Sequence, residues 1–182
     1  MEIDINQKKI AVGDKYKIFI DGQLSHTAST EIFRLLSVIN LLGVSGNRLT
    51  INKKSWWLKA KYNITLNDNN VLEFRTKSFW KNHFQCQYGS NLFDIYGHKG
   101  RKVSVYKNGK QVAWWNKQKV TWFEGDNYKI IADNNCDCEL IIAFCLVIDN
   151  YKSNDKGDNT ITIDFGSIGP QAIAFDTTWL PK

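Results

Sequence analysis

Asp137-Cys-Glu-Leu140-Ile-Ile-Ala-Phe144-Cys-Leu-Val-Ile148-Asp149 is the stretch on which the fold turns. Nine consecutive residues, Leu140–Ile148, are apolar, and acidic residues stand on both sides. A helix crossing a membrane needs about 18 or more such residues, so this run is too short to span. An element that is apolar on every side must be surrounded by protein. Asp137 and Glu139 suit a helix N-terminus, where the backbone dipole favours negative charge. Ile141, Ile142, Val147 and Ile148 suit a buried strand equally well, and periodicity alone fits both. In either form the run belongs to the core, and the rest of the chain must be built around it.

Upstream of it, short runs that favour strands alternate with turn signals. Tyr16–Ile20 leads to Asp21-Gly22, Trp56–Leu66 leads through Asn67–Asn70 to Val71–Thr76, and Asp94–Tyr96 leads through Gly97–Gly100 to Arg101–Lys107. The clearest local signal is Val103–Lys107, Asn108-Gly109, Lys110–Trp114. Asn-Gly supplies the positive φ angles of a type I′ turn, whose twist matches the flanking strands. Glu124–Asn127 then feeds Tyr128–Ala132. Many short strands joined by tight turns predict an antiparallel meander that closes or folds on itself.

Two regions depart from this rhythm. In Glu31–Leu42, residues Ile32, Leu35, Leu36, Ile39 and Leu42 share one helical stripe, with Glu31 at the start and Gly43 just past the end. Phe33, Val38 and Leu41 lie off that stripe, so the reading is helix ahead of a buried strand pair. The tail after Tyr151 opens on a polar loop over Lys152–Asn159. It continues with a strand at Thr160–Asp164, a turn at Gly166–Pro170 and a last short strand at Ala172–Phe175.

The chain has 182 residues, the size of one domain. Seven Trp and an aromatic share of 13% argue against disorder. With only Pro170 and Pro181, the body contains no Pro-rich linker at which to divide it. Residues 1–182 are therefore read as a single domain, with 151–182 as a C-terminal extension. Met1–Ile5 alternates acidic and apolar residues and lacks the basic start and continuous apolar stretch of a secretory signal. The expected compartment is the cytoplasm, and Cys86, Cys136, Cys138 and Cys145 are expected as reduced thiols. Charge is unevenly placed. Residues 1–136 carry 21 Lys and Arg against 11 Asp and Glu, and residues 137–182 carry 3 against 7. Between Ile95 and Phe123 there are seven bases and no acid, which would suit anionic lipid, nucleic acid or an acidic protein surface.

Several segments together resemble the tubby-like superfamily. They are Lys99-Gly-Arg-Lys-Val-Ser-Val-Tyr106, Gln111-Val-Ala-Trp114, Gly125-Asp-Asn-Tyr-Lys-Ile130 and Glu139–Asp149. The resemblance is to the plant and bacterial LURP-one-related proteins and, more distantly, to the phospholipid scramblases. By order of elements it extends over Met1–Asn150. It implies a mainly β fold, a closed antiparallel β-barrel around a central hydrophobic helix at about 137–149. It also implies a non-enzymatic binding or scaffold domain for an anionic, phosphoinositide-like lipid headgroup or a protein partner, peripheral at a membrane.

The residues themselves place that activity on the basic stretch. Pairing across Asn108-Gly109 sets Lys107 opposite Lys110, Val105 opposite Val112 and Val103 opposite Trp114 on an inward face. Lys102, Ser104 and Tyr106 then share an outward face with Gln111, Ala113 and Trp115, and Lys102 can lie over Trp115. The candidate ligand-binding residues are Lys99, Arg101, Lys102, Lys107 and Lys110, with Tyr106 and Trp115 as stacking or interfacial groups. The same surface would suit single-stranded nucleic acid, and the plainest alternative is a solvated sheet face whose lysines guard against aggregation.

Other chemistry finds little footing. His83, Cys86, Cys136 and Cys138 could supply four zinc ligands, but His83 and Cys86 point to opposite faces of a strand and Cys-x-Cys lacks a second knuckle. Cys145 reads as a core residue. His26, His83 and His98 are isolated in the sequence, Asp164-Phe-Gly166 has no accompanying kinase motifs, and no nucleotide or metalloprotease motif is present. No metal or cofactor is expected. A hydrolase with an unrecognised site is the remaining enzymatic reading.

Overall fold

The computed structural model describes all residues except 10–12, 34–35, 56–60, 68–69, 119–126 and 155–170. Twelve antiparallel strands among the described residues form one closed barrel. In chain order they are β1 (Glu2–Lys9), β2 (Asp14–Ile20), β3 (Gln23–Phe33), β4 (Leu36–Gly43), β5 (Arg48–Ser55), β6 (Lys61–Leu66), β7 (Asn70–Ser78), β8 (His83–Tyr88), β9 (Asn91–His98), β10 (Lys102–Lys107), β11 (Lys110–Gln118) and β12 (Asn127–Ala132). Each strand pairs with its neighbour in sequence, and β1 closes on β12 through Glu2↔Ile131 to Asn6↔Asn127. A barrel of about eight strands is filled by its own side chains, whereas wider ones leave a lumen. Here the lumen holds α1, Cys138–Asn154.

The pleat explains why the helix is apolar all round. Alternate strand residues point inward: Ile3 and Ile5 on β1, Tyr16 and Ile18 on β2, Ile39 and Leu41 on β4, and Ile130 and Ala132 on β12 are all buried. With the inward residues of the other strands they surround the helix, so no face of it between Leu140 and Tyr151 meets water. Every residue from Leu140 to Ile148 is at most 4% exposed. Phe144 lies at the centre, its ring centroid 5.8 Å from Phe74 and 5.5 Å from Phe93. No helix of the described residues is long and apolar enough to cross a membrane.

Polar contacts tie the helix to the wall at both ends. At its start, Glu139 accepts a hydrogen bond from Asn47 at 3.0 Å and lies 3.6 Å from His26, an acid placed where the helix dipole favours one. Near its other end, Asp149 is 2% exposed. Tyr16 Oη donates to its Oδ2 at 2.9 Å and Gln7 Nε2 donates at 3.3 Å. Tyr128 Oη donates to Oδ1, and Lys117 Nζ stands 3.7 Å from that oxygen. Burial and then the Asp149 charge push the Tyr16 hydroxyl upward, so it stays protonated as a donor. Next to it, Asn150 accepts from Ser37 at 2.8 Å and from Tyr62 at 3.0 Å. This polar girdle fixes the depth and rotation of the helix.

The structure corrects several expectations. Glu31–Leu42 is not a helix but the end of β3 and most of β4, paired through Glu31↔Val38, Ile32↔Ser37 and Phe33↔Leu36. Ser37, Ile39, Leu41 and Gly43 are buried in period two, while Leu42 is 47% exposed. Outward apolar residues such as Leu42 hid that alternation in the sequence. The central helix starts one residue later than expected and runs five residues further, to Asn154. Ala172–Phe175 is irregular rather than a strand. The expected strand at Thr160–Asp164, the turn at Gly166–Pro170 and most of the Glu124–Asn127 turn lie outside the described residues, as does the first part of Trp56–Leu66.

The hairpin of β10 and β11 also departs from its expected register. Asn108 and Gly109 have φ of 51° and 77°, as the type I′ turn requires. Beyond it a bulge intervenes, and Tyr106 pairs Gln111 while Val105 pairs Ala113. The extra residue, Val112, reverses the faces of everything that follows. Val103, Val105, Ala113 and Trp115 point inward, and Trp115 is 1% exposed. Trp114, not Trp115, is on the outer face.

Candidate functional site

The predicted basic residues all lie on or beside β10 and β11, but they do not form one cluster. Lys99 and Arg101 are exposed on the 3-10 turn before β10. Lys110 is exposed at the opposite end of the hairpin, roughly 17 Å away at about 3.4 Å per residue along β10. Lys107 is engaged by Asp137 at 3.2 Å and lies over the Phe93 ring. Lys102 lies 4.6 Å from the Phe175 ring centroid and 5.9 Å from that of Trp114. Tyr106 stands edge-on to Tyr96 at 5.6 Å. Burial and then the Asp176 carboxylate raise its pKa. Trp115 faces the lumen and is out of reach of any ligand on the surface. Residues 171–182 lie over much of this face, through Phe175 against His98 and Trp114 and Trp179 Nε1 donating to Gln111 O at 3.2 Å.

A second basic surface lies on the outer face of β1–β5. There the wall forms a concavity of about 920 Å³, within the range of about 300–1,000 Å³ common for ligand sites. Its floor is two lateral rows of outward residues. One runs Asn6, Lys17, Thr27, Leu42, Arg48 across five strands, and the next runs Lys8, Lys15, Ser29, Asn40. Lys8, Lys15, Lys17 and Arg48 are exposed, and among the described residues no carboxylate pairs with any of their side chains. Lys8 sits directly opposite Lys15. Like charges so placed destabilise a sheet, and an anion between them relieves the repulsion. Along the first row Lys17 and Arg48 are three strands apart, roughly 14 Å at the usual strand spacing.

Beside the basic rows lie exposed apolar side chains. Leu24 is 45% exposed, Leu42 47% and Val44 72%. Val44 N bonds to Ser25 O at 2.9 Å, which holds Val44 next to Leu24. No exposed aromatic ring is among the residues lining the concavity; its one aromatic, Tyr16, is buried.

Two of the histidines have close polar partners. His98 Nε2 lies 2.6 Å from Ser104 Oγ, but both residues are buried and neither lines a concavity described above. His83 is held by Asp94 at 2.7 Å and stacks on Tyr96. Gln85 donates to the same carboxylate oxygen at 2.9 Å. These contacts link neighbouring strands on the outer wall. The cysteines are free thiols. Burial pushes Cys86 up to about 12 and Cys136 up to about 11, away from the thiolate that metal binding or nucleophilic attack needs. Among the described residues no three His, Cys, Asp or Glu side chains come together as a metal site.

The sequence did not point to the β1–β5 surface, because its four bases are spread over forty-one positions and only the register of the β1–β5 meander makes them neighbours. A signal was present in the Lys8, Lys15, Lys17 spacing, which places all three on one face if a turn lies between Lys9 and Asp14.

No curated protein and no solved structure matches the chain. The profile of the LURP-one-related family does match, over residues 1–149, which takes in all twelve strands and the helix through Asp149. By that match, and by a closed barrel threaded on an apolar helix, the chain belongs to the LURP-one-related family of the tubby-like superfamily.

Proposed function

We propose that this protein is a non-enzymatic binding domain that docks on anionic lipid headgroups at a membrane surface through the outer face of β1–β5. The observation that carries the reading is the concavity holding Lys8, Lys15, Lys17 and Arg48 without carboxylate partners among the described residues. Each base near an anionic surface contributes about 1 kcal/mol, so four suffice for reversible attachment. Leu24, Leu42 and Val44 beside them supply aliphatic groups that enter the interface next to the headgroups. Nucleic acid fits this surface less well, because sequence-tolerant binding of single strands relies on stacking and the lining has no exposed ring.

The bases on and beside β10 and β11 are dispersed. Lys99, Arg101 and Lys110 remain open there, whereas Lys102 and Lys107 are occupied by Phe175 and Asp137. Their reach is smaller, because the open charges stand at opposite ends of a strand.

The test is co-sedimentation with vesicles of phosphatidylcholine alone and with added phosphatidylserine or phosphoinositide. Retention on anionic vesicles only, weakening as salt rises, is the expected result. Competition by free inositol phosphates separates headgroup capture from insertion of the apolar rim. Equal binding to neutral and anionic vesicles, or none to either, overturns the proposal.

A further inference from the structure

The outer face of β9–β11 is occupied by the chain's own last residues, and the manner of occupation is that of a bound peptide. Residues 171–182 contain no helix or strand. They are separated from α1 by the sixteen positions 155–170 and lie outside the part matched to the family. Two side chains anchor them. Phe175 packs edge-on against His98 at 5.2 Å and Trp114 at 5.4 Å, with Lys102 Nζ 4.6 Å from its centroid. Trp179 donates its indole N–H to the Gln111 carbonyl. Lys182 completes the attachment, its N–H donating to Asp133 Oδ1 at 2.7 Å and its carbonyl accepting from Asn134 N at 2.8 Å. Between the anchors, Asp176, Thr177 and Thr178 are exposed. A hydrogen bond from Thr178 N to Asp176 at 2.8 Å shapes that stretch from within the segment itself.

The fit is also incomplete. Both polar atoms of the Gln111 side chain are buried without a hydrogen-bond partner among the described residues, next to the carbonyl that accepts from Trp179. A buried amide left unpaired costs free energy, and a peptide with its own backbone groups placed there would recover it.

We infer that the outer face of β9–β11 is a peptide-recognition face for an extended segment carrying an aromatic residue followed by an acid, and that residues 171–182 are its tethered resident ligand. The aromatic enters the space between His98 and Trp114 under the Lys102 ammonium, where a cation–π contact favours a ring over an aliphatic group. The acid that follows lies near enough to Tyr106 to act on its hydroxyl. Because the resident is covalently attached, its effective concentration keeps weak competitors out. A partner segment enters only by displacing it. The inference concerns a different face from the proposed lipid surface and does not depend on it.

The test uses the full chain with its resident weakened, in the variant Phe175→Ala/Trp179→Ala. A fluorescently labelled peptide of residues 171–182 is titrated into this variant and into the parent protein, with far-UV circular dichroism recorded for both. Saturable binding to the variant, at least tenfold tighter than to the parent, is expected, as is its loss on adding Trp114→Ala. No binding by the folded variant overturns the inference. Should the variant not fold, a protease site placed within 155–170 allows the tail to be cut in the folded parent. Exchange of the cut segment for labelled peptide, followed by native mass spectrometry, supports the inference. Precipitation, or a cut segment that never exchanges, identifies a permanent strut and overturns it.

Discussion

Replacing Asp149 by alanine should be among the most damaging single changes of a polar residue in this protein. The carboxylate is 2% exposed and accepts from Tyr16, Gln7 and Tyr128 while facing Lys117. Alanine removes the shared acceptor and leaves three donors and an ammonium turned toward an apolar lumen. Removing one member of a buried pair costs about 3–5 kcal/mol, because the remaining partner stays desolvated. At about 2.1 cal/mol/K per residue, the unfolding entropy of a 182-residue chain is about 0.4 kcal/mol/K. A loss of about 4 kcal/mol therefore lowers Tm by about 10 °C. Lys117→Met should cost less, about 1–2 kcal/mol, since the carboxylate keeps three hydrogen-bond donors. The double variant should show a coupling above about 1 kcal/mol, the signature of direct contact. Urea unfolding of the four proteins, followed by circular dichroism, gives all three quantities. A loss below about 1 kcal/mol for Asp149→Ala, or strict additivity with Lys117→Met, would refute the girdle as the device that seats the helix.

Other outcomes follow from single sites. Gly13 has φ of 82°, and a Cβ there would come 2.0 Å from the Thr30 carbonyl oxygen. Gly13→Ala should therefore cost more than the about 1–2 kcal/mol of left-handed strain alone, and an unchanged urea midpoint would contradict that close approach. Burial holds the His98 pKa below its ordinary 6.5, and the nearby Lys102 ammonium acts in the same direction. The folded state thus binds fewer protons there than the unfolded chain. The stabilisation is complete above pH 6.5 and is lost as the pH falls. Between pH 7 and pH 5 the parent should lose more Tm than His98→Gln, and parallel curves would count against it. Cys86, pushed up to about 12 in the core, should resist iodoacetamide at pH 8 until guanidinium is added; rapid alkylation of the native protein, read by peptide mass spectrometry, would place it elsewhere.

Much of the architecture was legible because short-range signals and long-range packing agree. Asn108-Gly109 and Asp21-Gly22 adopt the positive φ angles that their residue types favour. The all-apolar Leu140–Ile148 run could exist only inside something. Its helical form, however, followed from resemblance rather than from the run itself. The failures have specific causes. The bulge at Val112 adds one residue to β11, and because side chains alternate, it exchanges Trp114 and Trp115 between surface and core. Glu31–Leu42 turns the apolar Val38 and Leu42 to the outer wall, so its period of two was blurred toward a helical one. The β1–β5 surface depends on the register of five consecutive strands, and the docking of Phe175 on Trp114 on a long return of the chain.

The most direct measurement sets the two basic surfaces against each other in one vesicle assay. Lys15→Glu/Lys17→Glu reverses two open charges on β2, and Lys99→Glu/Arg101→Glu does the same beside β10. At about 1 kcal/mol per base near an anionic surface, removing two attractions and adding two repulsions amounts to about 4 kcal/mol, well beyond a tenfold loss. The account predicts that the β2 variant loses at least tenfold in affinity for phosphatidylserine vesicles while the other stays within twofold of the parent. Full binding by the β2 variant, with loss in the other, would contradict it.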